Sequence, residues 1–278
     1  MSDDSHSVSP VVPDWNALWK QSHRAERARS GDRSEYWNKR APTFARKSRP
    51  NTYADQFLAF LAPEPHWTVL DVGCGPGLLA HPLAARVQAV TGMDFSEVMI
   101  QRLAQGAAEK GLTNVRAVHG SWEDDWEGLG IGVHDAAFAS RSLIVEDLEM
   151  AIGKLERCAR HRVMLSCPAG PGPLDSELMD AVGRRRGAGL DYIYVYNYLH
   201  QRGICADVKI VRLPDDRSFE SREDALDFHR LLLAELTPEE DRRLRDFLDQ
   251  KLVQVGTAWS LEGSRGRAWA LIRWDRES

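Results

Sequence analysis

From residue 67 onward, short runs of apolar and mostly β-branched residues alternate with longer segments in which apolar residues recur every three or four positions. The alternation predicts strands separated by helices, and uninterrupted apolar runs indicate strands that are covered on both faces. We therefore predict an α/β fold built on a seven-stranded, mostly parallel, doubly wound sheet. The strands are expected at residues 68–72, 89–93, 115–119, 135–139, 162–166, 204–213 and 268–274.

Two further helices are predicted between the last two strands. One begins near Ser221, and the other begins at Thr237, where Pro238 and Glu240 complete a capping box. We interpret residues 221–255 as a helical insertion rather than a domain. The sequence leaves open whether this insertion closes a pocket or forms a homodimer contact.

The chain before the sheet divides into two parts. Residues 1–13 carry two prolines among serines and are predicted to be a disordered tail. Residues 14–66 carry aromatic residues at near-helical spacings and are predicted to be N-terminal helices that form a lid. Residues 67–278 then form the α/β domain with its insertion.

Composition and charge narrow the class of protein. The 278 residues are 43% hydrophobic and 28% charged, as in ordinary globular proteins. The net charge of -5 gives no overall positive field, so nucleic acid is not an expected partner. No apolar run is long enough to span a bilayer and no signal peptide pattern is present, which predicts a cytoplasmic protein without a membrane partner. The cysteines lack zinc-ligand spacing, so no metal is expected.

A glycine-rich turn follows the first predicted strand directly, and Gly73, Gly75 and Gly77 alternate in it. Bare backbone at this edge of a parallel sheet lets a ligand approach closely. A dinucleotide site would place the third glycine one residue later, and the carboxylate of Asp71 suits a cation better than a pyrophosphate. Asp94 ends the second strand, where a carboxylate can bind ribose hydroxyls in either class of cofactor site.

The segment from Asp71 to Gly77, followed by Gly92-Met93-Asp94-Phe95-Ser96, resembles the first two motifs of class I S-adenosylmethionine-dependent methyltransferases. The resemblance covers about residues 36–170. It implies a Rossmann-like domain, S-adenosyl-L-methionine as the methyl donor and S-adenosyl-L-homocysteine as the product. The cofactor-binding residues it implies are Trp37, Arg40, Asp71, Gly73, Cys74, Gly75, Gly77, Asp94, Phe95, Met99, Ser121, Trp122, Glu123 and Ser140.

By this resemblance Asp71 and the glycines surround the methionine moiety, Asp94 holds the ribose, and Phe95 and Met99 flank the adenine. The segment Tyr36 to Arg40 is similar to a lid in which the arginine meets the methionine carboxylate. Many relatives have Asp where this chain has Ser121, so two interpretations of the third motif stay open. In the first, Trp122 packs on adenine and Glu123 or Asp124 accepts from its amino group. In the second, the motif is a solvated acidic loop with a core tryptophan.

The acceptor is predicted to be a small molecule. Family members that methylate adenine or glutamine amides carry a Pro-Pro-aromatic sequence after the fourth strand, and this chain has Ser140-Arg141-Ser142 instead. Four of the six tyrosines lie between Asp191 and His200, where a helix would bring rings and an imidazole together. We therefore predict His200 and Tyr196 as catalytic residues and Arg141, Tyr192 and Tyr196 as acceptor-binding residues.

A purely structural role for the helix-end histidine remains the alternative interpretation. Two other functions also stay open. One is a methyltransferase that acts on protein or RNA, with Arg184, Arg185 and Arg186 as docking residues. The other is a non-catalytic module that binds S-adenosylmethionine without turning it over.

Overall fold

A computed structural model describes residues 12–30, 52–170, 176–184, 191–214, 217–233, 235–263 and 266–276. The strands are β1 (Thr68–Val72), β2 (Ala89–Asp94), β3 (Val115–His119), β4 (His134–Ser140), β5 (Ala159–Pro168), β6 (Asp207–Leu213), β7 (Leu252–Val255), β8 (Ala258–Leu261) and β9 (Arg267–Asp275). Seven of them form one sheet in the order β3-β2-β1-β4-β5-β9-β6. Only β9 is antiparallel to its neighbours, so the predicted seven-stranded, mostly parallel sheet is confirmed.

The two helices predicted to begin near Ser221 and at Thr237 are present among the described helices. The described helices are α1 (Trp15–Ser30), α2 (Thr52–Leu61), α3 (Ala80–Ala84), α4 (Glu97–Glu109), α5 (Leu148–Arg157), α6 (Ser176–Val182), α7 (Tyr192–Gln201), α8 (Arg222–Leu233) and α9 (Pro238–Lys251). The predicted capping box at Thr237 and Glu240 is present, and Ser96 caps α4. In the described residues, no helix is both long and apolar enough to cross a membrane.

Helices cover both faces of the sheet. On one face α2 packs into a cluster with the aromatic contact Phe57–Phe138, whose ring centroids lie 5.0 Å apart. On the other face α5 and α7 pack with α1, whose Trp19 indole donates to the Val145 carbonyl at 2.7 Å. Tyr53 and Phe57 of α2 are almost fully buried. The helix α2 is thus part of the core, whereas the sequence predicted it as part of a lid.

The insertion contains the two predicted helices and, in addition, the antiparallel hairpin β7–β8, which was not predicted. Together with α6 these elements bury a separate apolar cluster that includes Leu178, Leu244 and Leu248. We call residues 176–184 and 217–263 the cap. Its chain leaves the sheet after β5 and β6 and returns before β9, and all three points lie at the carboxyl edge of the parallel strands.

Candidate active site

The glycine-rich turn is attached to the end of β2. The amides of Gly73 and Cys74 both donate to the Met93 carbonyl, at 2.7 and 3.0 Å. Gly73 has φ +71°, and a Cβ at this position would lie 2.2 Å from Cβ of Ser142. Gly75 has φ +54°, but a Cβ there would meet nothing within 4 Å. The turn therefore packs tightly at its first glycine and presents bare backbone to open space at its second.

Asp71 lies beneath this turn and is only 1% exposed. Burial and the neighbouring charge of Asp94 raise the pKa of its carboxyl well above the ordinary value. Among the described residues no group donates a hydrogen bond to this carboxylate. A buried acceptor that lacks a donor fits a ligand with an ammonium or sulfonium group and does not fit a pyrophosphate.

Asp94 lies at the end of β2 and joins the turn to α4. Its two carboxylate oxygens accept from the amides of Gly75 and Ser96, each at 2.9 Å. Burial raises the pKa of this carboxyl, and the two amides oppose the shift. Each oxygen keeps a further lone pair, which fits a role in binding ribose hydroxyls.

Three other predicted cofactor residues surround this pair of carboxylates. Phe95 is exposed by 37% at the end of β2, so its ring is available to a flat ligand. Met99 is buried in the first turn of α4, and its amide donates to the Ser96 hydroxyl. The thiol of Cys74 is also buried, and burial raises its pKa well above the ordinary value. A neutral thiol therefore fills the space behind the turn.

The third motif supports the second of its two interpretations. Trp122 is only 7% exposed, its indole donates to the Ser142 carbonyl at 3.1 Å, and its ring packs against Trp126. This tryptophan belongs to the core, which does not support the predicted contact with adenine. Asp124 accepts from the Ser121 amide at 2.8 Å, whereas the Glu123 side chain is exposed. Glu123 and Asp124 are both exposed, as the second interpretation predicts, and a contact of Glu123 with the adenine amino group stays a prediction.

A second group of polar residues lies where β4 and β5 end. Ser140 and Ser166 are partners in the sheet register, and the Tyr53 hydroxyl lies 2.7 Å from both of their hydroxyls. Arg141 follows Ser140 with φ +57°, and its Cζ lies 4.3 Å from the Tyr53 ring centroid and 5.6 Å from that of Trp269.

Ser140 and Arg141 of this group were predicted from the sequence as site residues, whereas Tyr53, Ser166 and Trp269 were not. One signal was available, because Ser140 and Ser166 each follow an apolar run that ends at the same edge of the sheet. Tyr53 and Trp269 gave no such signal, since Tyr53 lies in the predicted N-terminal lid and Trp269 lies in the last predicted strand.

The predicted catalytic residues lie along α7, which runs from the carboxyl ends of the parallel strands toward their amino ends. Its first turn is at the carboxyl edge, because Asp191 accepts from the Gly170 amide after β5 at 3.1 Å. Its end is at the amino edge, because Arg202 pairs with Glu156 of α5 at 2.9 Å. The exposed His200 lies two turns from Tyr192, or about 12 Å along the axis. We therefore withdraw the catalytic assignment of His200, and the half-buried Tyr192 is the residue of this helix nearest the carboxyl edge.

The remaining predicted site residues are distributed as follows. Tyr196 lies one turn beyond Tyr192, about 6 Å farther from the carboxyl edge, so its predicted catalytic role loses support. Arg184 pairs with Glu240 inside the cap at 2.7 Å, which accounts for it structurally. Residues outside the described part of the chain are Trp37, Arg40, Arg185 and Arg186.

Comparisons with known proteins agree with this geometry. The family described as "Methyltransferase domain" matches residues 69–161. An uncharacterized protein of Haemophilus influenzae is 35% identical over 243 residues, which are 86% of this chain and 88% of that protein.

Relatives with a named activity match over shorter segments. Nocamycin O-methyltransferase of Saccharothrix syringae is 34% identical over 127 residues, or 44% of this chain and 45% of that enzyme. A 23S rRNA (uracil-C(5))-methyltransferase of Alkalilimnicola ehrlichii is 44% identical over 62 residues, or 22% of this chain and 14% of that enzyme. This chain thus spans less than half the length of these two relatives.

A solved structure shows the same fold. Magnesium protoporphyrin IX methyltransferase from Synechocystis, solved with S-adenosylhomocysteine bound, is similar with a TM-score of 0.52 and 16% identity, over 87% of this chain and 94% of that one. The sheet order, the glycine turn with its two carboxylates and the matches in sequence lead to one conclusion: the chain belongs to the class I S-adenosylmethionine-dependent methyltransferase family.

Proposed function

We propose that this protein transfers a methyl group from S-adenosylmethionine to a small-molecule acceptor bound beside the ends of β4 and β5. The observation that carries the proposal is the division of the carboxyl edge into two halves. Asp71, Gly75 and Asp94 on β1 and β2 fit the methyl donor. Ser166 and Trp269 on β5 and β9 are buried and Arg141 is half-buried, which suits a compact acceptor better than an extended macromolecule.

S-adenosylmethionine supplies an electrophilic methyl group on a sulfonium. The nucleophilic atom of the acceptor forms a bond to the methyl carbon while the carbon–sulfur bond breaks, and the electron pair stays on sulfur as a thioether. Because the positive charge disperses during this displacement, orientation and exclusion of water contribute most to the rate. In this chain Asp71 would bind the donor's amino group and Asp94 its ribose, and both lie in the protein interior.

The alternative of a protein or RNA acceptor draws on the rRNA methyltransferase relative, with which this chain shares 62 residues. That shared segment covers only 14% of the relative. The one described docking candidate, Arg184, is paired with Glu240. The net charge of -5 also works against electrostatic attraction to nucleic acid.

Binding of the donor is tested with a matched pair of glycine variants. Gly75→Ala and Gly203→Ala both place a Cβ at positive φ in open space, so both should lose about 1 kcal/mol of stability. Only Gly75 lies in the turn, so titration calorimetry should show that Gly75→Ala weakens S-adenosylhomocysteine binding by about tenfold or more, while Gly203→Ala leaves it unchanged. Equal affinities in the two variants would contradict the assignment of the site.

The acceptor class is tested with a radiolabelled methyl donor and a cell extract separated by size. We expect the label in the low-molecular-mass fraction with the wild-type protein and a strong reduction with Gly75→Ala. Label found only in protein or RNA would favour the alternative. Donor binding without any transfer of label would identify a non-catalytic module.

A further inference from the structure

The surroundings of Arg141 differ from those of the arginines at the amino ends of the parallel strands. Arg160 pairs with Asp135, Arg162 with Asp275 and Arg273 with Asp207 at that edge. For Arg141 no carboxylate of the described residues lies within ion-pair distance. Tyr53 and Ser140 beside it carry no charge, since burial raises the pKa of the Tyr53 phenol. Among the residues that the structure describes, this half-buried cation therefore has no counter-charge.

The backbone conformation of Arg141 also indicates a functional role for its side chain. Its φ of +57° lies in the left-handed region, which disfavours any residue with a Cβ by roughly 1–2 kcal/mol. A glycine would adopt this conformation without strain, so the side chain itself has a use that offsets the strain. The guanidinium lies over the Tyr53 ring at 4.3 Å, and this contact fixes its position at the edge.

Trp269 adds a second donor to the same place. Its ring centroid is 5.6 Å from Cζ of Arg141, and its buried indole N–H has no hydrogen-bond acceptor among the described residues. Trp274 at the opposite end of β9 likewise has no acceptor among the described residues, so an unpaired indole N–H does not by itself indicate a ligand site. At Trp269, however, the indole donor lies beside the Arg141 cation, and neither has a partner in the described part of the chain. A negatively charged ligand oxygen can both accept from the indole N–H and pair with the guanidinium.

We propose that Arg141 and Trp269 form an anion subsite, and that the methyl acceptor therefore carries a carboxylate or phosphate group. The inference rests on the proposed function. Ser140 at the end of β4, predicted as a cofactor residue, is engaged with the Tyr53 hydroxyl. Trp269 lies on β9, two strands beyond β4, whereas Asp71 and Asp94 lie on β1 and β2, so we assign the anion to the acceptor rather than to the methionine part of the donor.

The test uses the protein loaded with S-adenosylhomocysteine and titrates it with benzoate, with inorganic phosphate and with neutral benzamide. We expect saturable binding of at least one anion and none of benzamide. Arg141→Gln keeps the backbone strain and removes the charge, so it should weaken anion binding by about tenfold or more. Arg141→Lys should bind the anion with intermediate affinity. Trp269→Phe keeps an aromatic ring but removes the N–H donor, so it should weaken anion binding.

The control is Arg160→Gln, which removes an equal charge at the amino edge and should leave anion binding unchanged. A second arm compares S-adenosylhomocysteine with methylthioadenosine, which lacks the methionine carboxylate. If Arg141→Gln weakens the binding of S-adenosylhomocysteine tenfold but not that of methylthioadenosine, the anion belongs to the donor and the proposal is overturned. Absence of anion binding to the loaded wild-type protein, or equal binding in Arg141→Gln, overturns it as well. Retained S-adenosylhomocysteine binding in these cases leaves the proposed function standing.

Discussion

A buried carboxylate without a hydrogen-bond donor destabilises a folded chain, and Asp71 receives no hydrogen bond from the residues that the structure describes. Burial and the charge of Asp94 raise the pKa of its carboxyl, so the folded protein holds this proton more tightly than the unfolded chain does. The contribution of Asp71 to stability is therefore fully present below the unfolded pKa of about 3.9 and is lost as the pH rises through the higher folded value. A cationic ligand reverses this penalty by pairing with the ionised form.

We expect Asp71→Asn to stabilise the cofactor-free protein while weakening donor binding. At pH 8 the variant should gain about 1 kcal/mol, or ~2–4 °C in Tm, and the difference should shrink toward pH 4. The amide cannot pair with the amino group of the donor, so affinity for S-adenosylmethionine should fall at least tenfold in calorimetry.

Asp135→Asn is the matched control for the pH dependence. Burial alone would raise the pKa of Asp135, but hydrogen bonds from Thr68 and Arg160 lower it overall. Its contribution is therefore present above the unfolded pKa, and Asp135→Asn should lower Tm at pH 8. Equal pH slopes of Tm in the wild type and Asp71→Asn would refute the role given to burial.

The positions of single residues in the fold could be predicted where the backbone conformation restricts the residue type, whereas their roles in binding stay predictions. The turn demands glycine at positive φ, and the end of β2 demands an acid, so Gly73, Gly75 and Asp94 could be placed from sequence. Spacing put His200 on one face of a helix, but spacing does not tell which end of that helix meets the active edge.

At the scale of elements, one carboxylate caps α5 and also binds α1. Asp147 is the N-cap of α5 and accepts from the amides of Glu149 and Met150. The same carboxylate accepts from the Asn16 amide at 3.0 Å and pairs with Lys20 at 2.8 Å, and both of those residues belong to α1. The helix α1 is thereby attached to the loop that follows β4.

We predict that Asp147→Ala releases α1 as well as removing the cap. The lost N-cap should cost about 1 kcal/mol of global stability. Hydrogen exchange in α1 should accelerate more than exchange in α9, whose own capping box is intact. Arg24→Ala is the control, since Arg24 pairs with Glu146 through an exposed side chain and should change neither quantity measurably. Unchanged exchange in α1 of Asp147→Ala would show that apolar packing of Trp19 alone holds the helix.

The strands of the main sheet could be predicted to within a few residues, and the β7–β8 hairpin could not. The strands of the β7–β8 hairpin have four residues each, too few for alternation to stand out from the helix before them. The predicted lid contained α2, whose aromatic residues serve the core, because periodicity shows that a helix buries one face but not what it buries that face against.

At the scale of the whole molecule, the cap is a unit with its own apolar cluster at the edge where the acceptor is proposed to bind. Leu244 and Leu248 of α9 pack with Leu178 of α6, and Arg230 pairs with Asp241 to join α8 and α9. The sheet domain has separate clusters on its two faces. Because few apolar contacts are shared, the cap can lose order while the donor half of the edge stays intact.

We therefore expect Leu244→Ala to separate acceptor binding from donor binding. The side chain is fully buried in the cap cluster, so truncation should cost about 2–5 kcal/mol, confined to cap amides in hydrogen exchange. Affinity for S-adenosylhomocysteine should stay within twofold of wild type, while kcat/KM with an acceptor should fall at least tenfold. Leu155→Ala, an equally buried leucine of α5, is the control and should accelerate exchange in the sheet domain instead. If Leu244→Ala weakened donor binding as much as methyl transfer, the cap and the donor site would form one cooperative unit, and the cap could not be a separate covering for the acceptor.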